Sequence, residues 1–121
     1  MLYAIYNYLT AQGHEPVYID FHPEAQDSFV ALYCWEKLAA DMYDGTAEHL
    51  VQLRVRDPDY DRAMQTCKEL VALLDSGDSE RLIPLDHPGP VIGRVRRLPI
   101  VLERQETNVT VYAEMAIWGQ I

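Results

Sequence analysis

The sequence predicts an α+β fold: a mainly antiparallel sheet with one long helix packed on it, in the order α-β-β-β-α-β-β. Three observations predict it. Tyr60, Ala63, Met64, Cys67, Leu70, Val71 and Leu74 recur at i, i+3, i+4 and i+7, the period of a helix that buries one stripe. Glu48 to Arg56 and Asn108 to Ile117 alternate apolar with polar residues, the period of half-buried strands. Turn chemistry separates these stretches at Asp57-Pro58, Ser76-Gly77 and Glu106-Thr107-Asn108. The chain has 121 residues, which fits one domain, 1–121.

Taken in order, Met1 to Gln12 carries Leu2, Ile5, Tyr6 and Leu9 at helical spacing, and Gly13 stands at the favoured C-cap position. Tyr3, Tyr6 and Tyr8 crowd this helix. They either rim the core or meet another surface, since tyrosine is intermediate in burial. Pro16 to Phe21 is β-branched and aromatic between Gly13 and Pro23, a strand. Ser28 to Trp35 is apolar on both faces, a strand that is central or covered on both sides. Glu36 to Ala47 has no firm period and reads as a loop. In Glu48 to Arg56, Val51, Leu53 and Val55 face inward, opposite Gln52, Arg54 and Arg56.

The sharpest local signal is Asp57-Pro58-Asp59-Tyr60-Asp61. Asp57 is a natural N-cap, Pro58 fits the first helical position, and Asp59 and Asp61 sit at the positive end of the helix dipole. One apolar stripe covers one sheet face, so the other face is solvated or meets a partner. Asp78 to Pro90 is a long loop, with Ile83 and Leu85 as anchors. Val91 to Arg104 is a strand broken by Pro99, which marks a bulge or an edge. It forms a hairpin with the strand that begins at Asn108.

The charge balance is lopsided, 19 acidic against 10 basic residues, net −9. Affinity for nucleic acid comes mainly from Lys and Arg on phosphates, so this balance argues against gripping DNA or an anionic membrane. The four histidines, His14, His22, His49 and His87, lack metal-ligand spacing. Cys34 and Cys67 fall at apolar positions and read as buried thiols. His22 with Glu24 and Asp27 reads as a polar turn, and no glycine-rich phosphate loop is present. No cofactor, no metal site and no catalytic activity are expected. Six of the ten basic residues, Arg54, Arg56, Arg94, Arg96, Arg97 and Arg104, lie on two strand segments. They either form solvated faces with weak ion pairs, or a basic strip that meets an acidic strip on a neighbouring copy.

Three stretches together resemble a known group. The first is Val17-Tyr18-Ile19-Asp20-Phe21-His22-Pro23, then Asp27 and Val30-Ala31-Leu32-Tyr33. The second is Val51-Gln52-Leu53-Arg54-Val55-Arg56 running into the helix to Leu74. The third is Leu98-Pro99-Ile100 to Glu103, a turn, and the alternating strand to Trp118. From about Ala4 to Trp118 the chain is similar to the small tail-completion and tail-terminator proteins of tailed bacteriophages, often called phage minor capsid proteins. It departs from them at Trp35-Glu36-Lys37, where members often carry a glycine pair.

The resemblance implies a structural virion subunit, not an enzyme. It implies a ring, commonly a hexamer, that caps the tail tube at the tail-neck junction and joins it to the neck or head-completion protein. Its partners would be its own copies, the tube protein and the neck protein, with assembly in the host bacterial cytoplasm. DNA would pass through the ring without specific binding, and the net −9 fits a channel wall that does not hold it. On this reading Arg54, Arg56, Arg94, Arg96, Arg97, Tyr3, Tyr6 and Trp118 serve the subunit interface. Asp41 and Asp44 in one loop, and Asp78, Asp86, His87 and Pro88 in the other, reach the tube or the neck. The alternatives are a head-closure connector of the same virion, and a small dimeric ligand-binding α+β module.

Overall fold

The computed structural model describes residues 1–37 and 46–120. Its elements are α1 (Leu2–Ala11), β1 (Val17–Ile19), β2 (Phe29–Lys37), β3 (Thr46–Asp57), α2 (Tyr60–Leu74), β4 (Ile92–Arg104) and β5 (Val109–Gln120). The fold is α+β, with a five-stranded sheet in the order β1-β2-β3-β5-β4. The sheet is mixed. β1 pairs parallel with β2, while β2–β3, β3–β5 and β4–β5 are antiparallel. The expected mainly antiparallel sheet with one long helix is thus met in outline, and β1 is the parallel exception.

The local chemistry explains the element ends. α1 stops where Gly13 takes φ +94, a left-handed conformation that glycine adopts without Cβ strain. The N-cap of α2 is Asp59, not Asp57: its side chain accepts from Asp61 N–H at 3.0 Å. Asp57 is taken up elsewhere. Its carboxylate accepts from Asp59 N–H at 2.9 Å and from Arg62 Nε at 3.0 Å, closing a turn ahead of the helix. β1 is shorter than the apolar run from Pro16 to Phe21 predicts, because Asp20 turns the chain at φ 63. In β4 the pairing slips between Arg97 and Ile100, across Pro99, as expected of a proline in an edge strand.

Both helices lie on one face of the sheet. Ile5 and Leu9 of α1 and Ala63, Cys67, Leu70 and Leu74 of α2 share one core with Val30, Leu32, Val51, Leu53, Val111, Ala113 and Met115. α1 covers β1 and β2, and α2 covers β3, β5 and β4. Burial of each large aliphatic side chain here contributes about 1.5–3 kcal/mol. The 75–91 connection is pinned to this core: Ile83 is buried and its N–H donates to Val91 O at 2.8 Å. No helix among the described residues is long and apolar enough to cross a membrane.

Candidate functional site

Strand alternation places the remaining side chains on the opposite, helix-free face. The cross-strand register sets them in rows: Phe29, Arg56 and Thr110, then Ala31, Arg54 and Tyr112, then Tyr33, Gln52 and Glu114. Farther along, Glu48 stands beside Trp118, and Trp118 beside Ile92. Arginine, tyrosine and tryptophan are the residue types that dominate interface energetics.

One end of this face is built around Arg56. Its side chain is 0% exposed. Nε donates to Thr110 Oγ1 at 2.9 Å, Nη2 to Glu103 Oε1 at 2.8 Å, and Nη1 to the carbonyls of Glu24 at 3.3 Å and Gln26 at 3.4 Å. The guanidinium also lies 4.9 Å from the centroid of the Phe29 ring. The segment 20–28 therefore folds over the end of β2 and β3, held by a buried cation on β3. Arg56 was expected at a subunit interface; its guanidinium is instead enclosed within the chain. The alternation correctly put it on the outer face, but the covering turn comes from residues some thirty positions away.

His22 belongs to the same turn. It stacks on Phe29 with centroids 4.8 Å apart, and its Nδ1 lies 2.7 Å from the Tyr33 hydroxyl. Glu24 is 3.7 Å from its other ring nitrogen. Desolvation, and then the charge of Arg56, hold the His22 pKa below its ordinary value. Desolvation likewise raises the Tyr33 pKa. Arg54 sits over the Tyr33 ring at 4.3 Å and donates to Gln52 Oε1. The result is a compact aromatic and cationic cluster in which Arg56 and Phe29 are enclosed and Arg54, Tyr33 and His22 are half-buried. Neither Tyr33 nor Glu103 was singled out by sequence reading, since no spacing signal ties them to Arg54 or Arg56.

The other expected interface residues are not gathered into one patch. Trp118 is 42% exposed on the open face. Arg97 reaches Glu114 at 3.8 Å and Arg96 reaches Glu48 at 3.5 Å, both half-exposed. Arg94 turns to Glu80 in the 75–91 connection at 2.6 Å. Tyr3, 74% exposed, and Tyr6, half-buried against the core, are on α1 in the helix layer. Asp78, Asp86 and Pro88 are exposed in the 75–91 connection and His87 is half-buried. Asp41 and Asp44 lie outside the described residues. Cys67 is buried, which pushes its thiol up to about 12, and Cys34 is half-buried.

No family model and no curated protein matches the chain. Seven solved chains do. One of them, whose recorded name describes no function, aligns over 100% of this chain and 96% of its own length, at TM-score 0.57 and 18% identity. At that identity the likeness concerns the fold alone.

Proposed function

We propose that this chain is a ring-forming tail terminator of a tailed bacteriophage, a structural subunit that caps the tail tube and joins it to the neck. The observation that carries the reading is the open sheet face. Both helices cover the other side, and among the described residues no second layer covers the rows of arginine, tyrosine, tryptophan and carboxylate side chains over most of the sheet. Such a surface suits contacts with neighbouring protein, and copies of one chain that contact head-to-tail form a ring when the rotation between them closes. The order and spacing of the three stretches that resemble tail-completion proteins add the virion context. The pinned 75–91 connection presents Asp78, Asp86 and Pro88 to a tube or neck protein.

Immunogold labelling of phage particles carrying this chain tests the reading. Label confined to the junction between head and tail is the expected outcome. Label on the capsid surface, or none on particles, overturns it.

A further inference from the structure

Charge is segregated along the sheet. The first 34 residues, which form α1, β1 and most of β2, contain no lysine or arginine. Glu15 and Asp20 flank β1 directly, and Glu24 follows in the turn; all three are exposed. At the other edge, β4 carries Arg94, Arg96, Arg97 and Arg104 against one carboxylate of its own, Glu103, and Arg94 is taken by Glu80 of the 75–91 connection, which leaves Arg96, Arg97 and Arg104. Arg96 and Arg97 are each 51% exposed and reach Glu48 and Glu114, 12% and 23% exposed, only at 3.5 and 3.8 Å. Single contacts that long leave most of each guanidinium's donors open to solvent.

Shape is segregated in the same sense. At the β4 end, Val71 and Ala72 of α2 and Val95, Leu98 and Pro99 of β4 line a mainly apolar groove of about 520 Å³, with one cation, Lys68, and one carboxylate, Asp75, also in its lining. At the β1 end, Tyr6 and Thr10 of α1 line a recess with Glu15, Pro16 and Val17, and Phe21 stands exposed just past β1. α1 packs on β1 and β2 and α2 on β3, β5 and β4, so the two features belong to opposite ends of the sheet. Neither edge is suited to receive another strand. β1 has three residues, and β4 is interrupted by register shifts and Pro99.

We infer that the acidic α1–β1 edge of one copy docks against the arginine-rich β4 edge and its α2 groove on the next copy. The contact is made by side chains and not by an added strand. The two surfaces lie at opposite ends of the molecule, so the contact is head-to-tail and repeats from copy to copy. This rests on the ring reading above and names the surfaces that would close the ring.

Light scattering over a concentration series tests it with two charge-reversed variants, Arg96→Glu with Arg97→Glu, and Glu15→Lys with Glu24→Lys. Circular dichroism melting first verifies that each is folded. The wild-type mass is expected to rise with concentration beyond two subunits. It should fall back at about 1 M salt, where the Debye length is about 3 Å. Each variant alone should associate about tenfold more weakly or worse. Mixed in equal amounts they should regain association, because each reversed edge then meets its complement. A wild type that stays monomeric, or that stops at a closed dimer, overturns the inference. So do variants that associate like wild type, or a mixture no stronger than its components. Association indifferent to the variants leaves the ring reading standing, and label missing from the head–tail junction defeats that reading without touching the edge contact.

Discussion

Arg56 is the residue on which the open face turns. It is a buried cation whose donors go to a threonine, a carboxylate and two backbone carbonyls. Replacing it leaves those carbonyls and Glu103 without their partner, and breaking such a pair costs several kcal/mol. Arg56→Met is expected to lower stability by about 3 kcal/mol in urea unfolding. Arg54→Met, half-buried on the same strand, should cost about 0.5 kcal/mol. Equal losses would mean that the network around Arg56 does not hold the 20–28 turn. His22 gives the same turn a pH dependence. Its folded pKa is depressed below the ordinary 6.5, so the folded state favours the neutral ring. Its contribution is therefore intact above about pH 6.5 and is lost as the unfolded chain takes up a proton below it. His22→Gln should flatten that part of the stability profile between about pH 7.5 and pH 5. A variant whose profile runs parallel to wild type would sink the assignment.

At the scale of elements, the join between α2 and β4 depends on close approach. A Cβ on Gly93 would stand 1.8 Å from the Leu74 carbonyl oxygen, a contact that backbone at a helix end cannot relieve by rotating a side chain. Ser76 reinforces the join: its N–H donates to Gly93 O at 2.8 Å and its hydroxyl accepts from Gly93 N–H at 3.0 Å. These bonds occupy part of the outer edge of β4 with chain from the 75–91 connection. Gly93→Ala is expected to cost about 3 kcal/mol, by displacing β4 from the end of α2. Thermal melting checks this, and a wild-type melting temperature would show that the two elements part easily. Periodicity made α2 legible because its stripe of Ala63, Cys67, Leu70 and Leu74 has no competing pattern. Its start lies two residues later than Asp57-Pro58 predicts, because Asp57 closes a turn with Asp59 N–H and Arg62 while Asp59 caps the helix through Asp61 N–H.

For the whole molecule, the long antiparallel strands, the main helix, the hairpin at 105–108 and Pro99 at an edge were all determined by the sequence, through patterns within ten or so residues. Local steric preference and the burial of one face per element decide such features, and both are written in consecutive residues. The tertiary structure alone decided three things. It paired β1 parallel with β2, placed α1 in the same layer as α2, and folded the 20–28 turn over Arg56. Each joins residues far apart in the chain, where alternation says which side a residue faces but not what lies above it. The same holds for the candidate site. Sequence placed Arg54, Arg56, Arg96 and Arg97 on strands, while packing enclosed Arg56, half-exposed Arg96 and Arg97, and set the acidic β1 edge and basic β4 edge at opposite ends of the sheet. A side chain's burial depends on the neighbours that strand order brings to it, and strand order is a property of the folded chain.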